Sequence, residues 1–290
     1  MVIGFVGAGK VAKSFGKYLV DNGINVKGYY SKSLSSAEEA AELTGSIAFG
    51  NVKTLTNDCD LIFITTPDDV IEGVCNYITN ECGFRKGQIV AHMSGAASSD
   101  ILKSAKAQEC FTYSIHPLQA FADVNKAVED LNTTPFGIEG DEEKLPEVIS
   151  LIETCGNEYF IINKEDKVLY HAAACIVSNY LVTLMDVGIS FMKAVGIDEK
   201  KGFNALYPLV SGSLENVRKL GPAMALTGPI ARGDVKTIEH HMKETQKKLP
   251  ELLEIYSILG KETLDLAKNA KIKDEKIFQD MKNILERGIK

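Results

Sequence analysis

The 290-residue sequence has no excess of basic charge, no paired-cysteine spacing and no histidine-rich tract, and each lack removes a class of function. Its 32 Lys and Arg face 39 Asp and Glu, a net charge of −7. Such a surface repels phosphate backbones and anionic lipid, which argues against a general nucleic-acid or membrane-surface role but leaves room for a local basic pocket. The six cysteines, Cys59, Cys75, Cys82, Cys110, Cys155 and Cys175, form no C-x-x-C pair, and the five histidines are dispersed. That spacing predicts no metal site, and thiols set in apolar segments read as reduced and buried. No charged, apolar and small-residue leader precedes the first apolar run, so the protein is expected to be cytoplasmic. The richest apolar stretch, residues 172–185, is broken by Ser178, Asn179 and Thr183. It is too short for a bilayer and is expected to be a buried helix. There is no internal repeat or low-complexity tract.

What is present begins at the first residues. The opening MVIGFVGAGKVA is an apolar run that breaks at Gly7-Ala8-Gly9 and continues through Lys10-Val11-Ala12 into a helical pattern. This is G-x-G-x-x-A in a strand–turn–helix context. Gly7 permits the tight turn, the bare Gly9 lets backbone amides approach a pyrophosphate, and the small Ala12 lets helix and strand pack closely. The helix N-terminus then offers unpaired N–H groups and the positive end of its dipole to the phosphates. A dinucleotide site is predicted.

The second strand says which dinucleotide. Where an NAD-type protein carries Asp or Glu for the ribose 2′-hydroxyl, this chain reads Ser31-Lys32-Ser33. Two hydroxyls and a cation, without an acid, suit a 2′-phosphate, so NADP(H) is the expected cofactor. The same residues also close a strand, and an S-x-x-E capping box from Ser35 to Glu38 is expected to start the next helix.

Ordinary apolar content, 45%, in a chain of this length predicts two domains with a core each. Strands are expected at 46–49, 60–65, 88–93, 110–115, 136–139 and 158–162, with helices near 38–43, 70–79, 99–107 and 143–154. Buried strands alternating with helices make an α/β, mostly parallel, Rossmann-type sheet over residues 1–163, whose ligands lie at the carboxyl ends of the strands. Those ends carry Thr66 and Pro67, then Ser94, then His116. Asp68 reads as a helix N-cap; Pro67 and Ser94 would border the cofactor ring; His116, a titratable ring on a loop, is a candidate proton donor or acceptor.

Beyond the charged stretch Lys164-Glu165-Asp166-Lys167 the pattern is all helical. Helices are expected over 165–195, 199–218, 234–247, 250–268 and 274–286, with Pro208 kinking or splitting the second. Residues 164–290 are thus expected to form a second, helical domain that contributes to the substrate site. On its first helix His171, Cys175 and Ser178 fall on one stripe with Asn179 beside it. Polar groups on a buried helix need partners, and lining a cleft supplies them. A loop at residues 225–234 carries Thr227 and Arg232, and His241 follows it. Arg232 offers a fork for a substrate carboxylate, Asp234 can cap the next helix, and Thr227, Ser94 and His241 complete the candidate substrate contacts.

The opening GFVGAGKVA, SIHPLQAF, PFGIEGD, HAAACIVSNYLVTL and ALTGPIARGDVKTIEHH together resemble a bacterial family of Rossmann-like proteins with a helical second domain long labelled as of unknown function. The resemblance spans nearly the whole chain, and its last two segments are the specific ones. The plan is similar to that of ketopantoate reductase, pyrroline-5-carboxylate reductase and the hydroxyisobutyrate dehydrogenases. It implies a helical domain like the C-terminal part of 6-phosphogluconate dehydrogenase and a homodimer through that domain. Some members look like an alternative type of ketopantoate reductase, active in pantothenate synthesis. One departure stands out. Asn179 matches the Asn of the familiar enzymes, but Cys175 stands where they carry a catalytic Lys. His171, then His116, are the candidate acids in its place, with Ser178 and Asn179 hydrogen-bonding the substrate.

The leading expectation is therefore NADPH-dependent reduction of a small 2-oxo acid such as 2-dehydropantoate. Two alternatives stand beside it. One is reduction of a cyclic imine such as pyrroline-5-carboxylate, where no strong acid is needed; the other is a non-catalytic NADP(H)-binding sensor, kept open by the missing Lys.

Overall fold

The computed structural model describes residues 1–289. Eight strands form one sheet in the order β3-β2-β1-β4-β5-β6-β7-β8. Their ranges are β1 Val2–Val6, β2 Asn25–Tyr30, β3 Ile47–Phe49, β4 Leu61–Ile64, β5 Ile89–His92, β6 Phe111–Pro117, β7 Phe136–Gly140 and β8 Tyr159–Ile161. Every neighbouring pair is parallel except β6 with β7, where Ser114 lies opposite Glu139 and His116 opposite Gly137. Strands β4 and β5 are buried at every residue, as a sheet covered on both faces requires.

The covering helices are α1 Lys10–Asp21, α2 Leu34–Thr44, α3 Val52–Asp58, α4 Ile71–Glu81, α5 Lys103–Lys106, α6 Val124–Leu131 and α7 Leu145–Thr154, followed by α8 Lys167–Val177. Alternation along the strands divides the apolar side chains into two cores. Ile3, Phe5, Leu61 and Phe63 join Phe15 and Tyr29 in one, and Val6, Ile62 and Ile64 join Leu55 and Ile78 in the other. In the first core the Phe5 ring stacks on Tyr29 and Phe63 with centroids 5.2 and 5.4 Å away.

By internal contacts the chain divides after Ser178. The second unit holds α9 Asn179–Ala194, α10 Glu199–Leu220, α11 Pro222–Ala225, α12 Gly228–Ala231, α13 Val235–Lys248, α14 Leu253–Ala270 and α15 Glu275–Glu286. Its core gathers Ile230, Ile238, Met242, Leu264, Phe278 and Met281. Side-chain caps start three of its helices: Asp198, Asp234 and Asp274 each accept a hydrogen bond from a first-turn amide, satisfying donors that a helix leaves open.

Several expectations are corrected. The cap of α2 is Ser33, which accepts from the Ser36 amide, and not Ser35. Helices α3 and α6 were not legible: both are short, and the first is mostly polar, though Asn51 and Asp123 cap them. Pro208 sits inside α10 without splitting it, and the residue 225–234 loop contains the single-turn α12. The 165–195 segment is not one buried helix. It breaks at Ser178, where φ is −110° and ψ −67°, and α9 has no buried residue. Val168, Leu169 and Val177 are each at least 70% exposed. The helical run Lys164–Ala194 is in fact long and apolar enough, at mean hydropathy 1.6, to cross a membrane by length and composition. The division after Ser178 also puts α8 with the sheet, whereas the charge run at 164–167 marked the expected border.

Candidate functional site

The turn after β1 is built for close approach. Gly7 is buried with φ +108°, and its amide donates to the Tyr30 carbonyl at 2.8 Å. A Cβ at Gly7 would lie 2.9 Å from the Thr65 carbonyl carbon and hydroxyl, so a side chain is excluded both by strain and by space. Gly9 is the N-cap of α1 without a side-chain cap, and a Cβ there would meet nothing within 4 Å. The first-turn amides of α1, at Lys10, Val11 and Ala12, therefore have no side-chain cap among the described residues. Ala12 is fully buried against the core, as close helix–strand packing demands.

A cavity of about 840 Å³ opens on this turn, lined among others by Gly7, Ala8, Gly9, Ser31, Lys32, Thr66 and Pro67. Thr66 Oγ1 is buried and has no partner among the described residues. An open amide terminus, a bare glycine, an orphan hydroxyl and an acid-free Ser31-Lys32 corner fit a phosphorylated dinucleotide. The side chains of three further predicted cofactor residues are engaged elsewhere. Ser33 does not line the cavity but caps α2, Val11 packs on the core, and Lys10 sends its ammonium to the Ala122 carbonyl at 2.6 Å.

The carboxyl ends of β5 and β6 carry a second polar cluster. His116 Nδ1 lies 2.8 Å from the Tyr170 hydroxyl, and the His116 and His171 rings meet edge to face at 6.1 Å. Gly95 makes that convergence possible. A Cβ at Gly95 would collide with His171 Nδ1 and lie 2.9 Å from His116 Nε2, so both rings face the space a side chain would fill. His171 Nδ1 is buried without a partner among the described residues, and its Nε2 lies 3.6 Å from the Cys175 thiol. Burial, then the charge of Lys167, pushes His116 down to about 3. Burial pushes the Tyr170 phenol up to about 12. Both groups are thus neutral near pH 7.

Beneath them lies Lys167, 1% exposed, the first residue of α8. Its ammonium donates to the Ser114 hydroxyl at 2.7 Å and the Ser94 carbonyl at 3.2 Å, and sits 5.5 Å from the Tyr170 ring centre. Burial lowers it to about 8, with Glu139 and Asp68 opposing the shift. Ser94 itself is a framework residue and not a free substrate contact. Its hydroxyl donates to Asp68 at 2.5 Å and accepts from the Ala97 amide at 3.1 Å; Asp68, expected as an N-cap, lies inside a single turn whose cap position is Pro67 and bonds Ser94 instead. His92, fully buried, bonds the Ser98 carbonyl and the Ser94 amide and is pushed by burial down to about 4.

The structure thus brings His116 and His171 together and adds Tyr170, Gly95 and Lys167, which sequence reasoning passed over. Ser178 and Asn179 are exposed at the α8–α9 break and make no side-chain hydrogen bond among the described residues. Within the second unit, Thr227 precedes α12 without a capping bond, and Arg232 is exposed. Asp234 caps α13 as expected, and the Thr237 hydroxyl and amide, with Arg232 nearby, hold its carboxyl below the usual range. His241 Nδ1 lies 2.8 Å from the Tyr256 hydroxyl at a cavity of about 350 Å³ within that unit.

Residues 1–117 match the family described as Rossmann-like domain, and residues 134–263 match the one described as Domain of unknown function (DUF2520). The DUF2520 match begins just ahead of β7, so the histidine cluster draws on both: His116 comes from the Rossmann-like part, and Tyr170 and His171 from the DUF2520 part. Among solved structures, Thermotoga maritima TM1727 is 28% identical over 98% of each chain, with TM-score 0.67. A candidate NADP oxidoreductase of Bacteroides fragilis is 20% identical over 91% of this chain and 98% of its own, with TM-score 0.71. A Streptococcus pyogenes 1-pyrroline-5-carboxylate reductase shares the fold at 20% identity, covering 93% and 98%, with TM-score 0.63. No curated protein matches the chain.

Proposed function

We propose that the chain is an NADPH-dependent reductase of a small 2-oxo acid, with 2-dehydropantoate the substrate to test first. The Rossmann-like turn fits NADPH, and the relatives described above as NADP oxidoreductase and pyrroline-5-carboxylate reductase share its fold. Bound NADPH supplies the hydride. The chain's own part begins with binding: the first-turn amides of α1 take the pyrophosphate, Ser31 and Lys32 take the 2′-phosphate, and Thr66 Oγ1 finds the partner it lacks.

The observation that carries the reading is the convergence of the His116 and His171 rings on the space beside Gly95, with the Tyr170 hydroxyl on His116 Nδ1. Carbonyl reduction leaves a negative oxygen that needs a donor, whereas an iminium arrives already protonated. A cluster of ring and hydroxyl donors at the edge where α/β sheets bind ligands therefore favours the carbonyl. With the His116 ring and the Tyr170 phenol neutral, His116 acts as a hydrogen-bond donor whose proton is renewed from Tyr170, in the manner of a neutral imidazole electrophile. The apolar exposed residues of α8, α9 and α10 further support a homodimer.

NADPH oxidation followed by absorbance, with 2-dehydropantoate and with pyrroline-5-carboxylate in parallel, is the test. Turnover of the oxo acid is the expected outcome; faster turnover of the imine, or tight NADPH binding without oxidation, overturns the reading in favour of an imine reductase or a sensor. Gly95→Ala should lower kcat about 10²-fold or more by driving the two rings apart, with NADPH affinity unchanged in a fluorescence titration.

A further inference from the structure

Lys167 is an anomaly in this fold. It is a cation at 1% exposure that forms no ion pair among the described residues and is held only by a carbonyl and a hydroxyl. A buried ammonium is costly, and a shorter or apolar side chain would fasten α8 to the sheet as well. Its neighbours show what the charge does. Asp68 from the segment after β4 and Glu139 from β7 attract it, and His92 on β5 and His116 on β6 are disfavoured as cations by it. On its own helix it lies against the ring of Tyr170, one turn along, next to His171.

We propose that Lys167 is a positioning residue for proton delivery: its ammonium, pinned between the Ser94 carbonyl and the Ser114 hydroxyl, stabilises the phenolate that Tyr170 becomes when its proton passes through His116 to the product oxygen. This rests on the carbonyl-reductase reading. The transfer balances as a relay. The Tyr170 O–H bond breaks as a new N–H forms at His116 Nδ1, and the His116 Nε2–H bond breaks as an O–H forms on the alkoxide. The imidazole ends neutral with its tautomer exchanged, and the negative charge rests on the Tyr170 oxygen until solvent returns the proton. No carboxylate is bonded to Tyr170 or His116 among the described residues, and Lys167 is the cation that lies against the Tyr170 ring, 5.5 Å from its centre. The same charge opposes a second positive charge on His116, which keeps the ring in the neutral form a relay needs.

The test is a pH titration of the His116 ring by NMR with labelled histidine, assigned through His116→Asn, run on the full chain beside steady-state kinetics. In the unsubstituted protein the His116 signal should show an inflection near pH 8, where Lys167 loses its charge, and kcat should fall through the same range. Lys167→Met should abolish that inflection, raise the low pH at which His116 protonates, and reduce kcat about 10²-fold while leaving the NADPH dissociation constant unchanged. An anchoring role would leave kcat and its pH profile in place, and finding the fall in kcat near pH 8 unchanged in Lys167→Met overturns the proposal. If that variant does not fold, the unsubstituted protein decides: no inflection near pH 8 overturns the proposal just as firmly. Absence of any NADPH oxidation by the unsubstituted protein sinks the reductase reading instead, and the titration reports on Lys167 either way.

Discussion

Lys32 is the residue on which cofactor choice turns. It is exposed at the rim of the nucleotide cavity with Ser31, and no acid stands in the place where a ribose 2′-hydroxyl is usually recognised. A charge-assisted hydrogen bond is worth about 1.5–3 kcal/mol, so Lys32→Ala should weaken NADPH binding tenfold or more and leave NADH binding nearly unchanged in paired titrations. The buried histidines make a separate prediction. His92 and His116 are pushed to about 4 and about 3, well below the roughly 6.5 of an unfolded histidine. The unfolded chain therefore takes up these protons first, and the stability the two neutral rings represent is complete above about pH 6.5 and is lost as pH falls toward 4 and 3. Urea midpoints should drop steadily across that window, by up to ~1.4 kcal/mol per pH unit for each ring, and His116→Asn should make the slope shallower. Residue-scale chemistry was only half visible beforehand. His116 and His171 announced themselves by type and position. Lys167 did not, because in a run of four charged residues it looks like solvated linker, and only the packing of α8 on β5 and β6 makes it a buried charge.

At the scale of elements, the sheet was legible to within a residue or two because its strands are continuous apolar runs between turn signals. Residues 88–93 and 136–139 were expected as strands, and Ile89–His92 and Phe136–Gly140 are found. The helix at 165–195 misled because an apolar composition does not say what covers it. Periodicity finds a helix, but neither the break at Ser178 nor the exposure of α9 is written in it. Helix α1 shows how closely element and strand are matched. Gly16 faces the Tyr29 hydroxyl so tightly that a Cβ would overlap it, and Tyr29 is fully buried on the Phe5 ring and cannot swing away. Overpacking costs about 1–3 kcal/mol against the ~1 kcal/mol that Ala gains over Gly in a helix. Gly16→Ala should therefore lower the urea midpoint, and an unchanged or higher midpoint would show that α1 can shift outward.

At the scale of the molecule, the apolar side chains left in solvent decide the assembly. Leu169 is 74% exposed, Val177 72%, Val182 70% and Leu209 67%, apolar side chains of the kind an interface covers. A homodimer, at twice the 31.6 kDa chain mass, is the expected result in light scattering at micromolar concentration. Recovery with membranes, or flotation with lipid vesicles, would point instead to the Lys164–Ala194 run as a bilayer segment.

The antiparallel pairing of β6 with β7 has a consequence for how the chain can be cut and recombined. The family match changes between residues 117 and 134, yet the sheet continues through β7 and β8, and α8 is fastened to it by Lys167. The matched stretches and the compact units of the structure therefore end at different residues. A fragment ending at 133 would leave β6 as a bare edge and strand His116 without Tyr170, whereas a fragment ending at Ser178 keeps every hydrogen bond of the histidine cluster. Grafts between relatives should have their seam at Ser178, downstream of the border that sequence families draw.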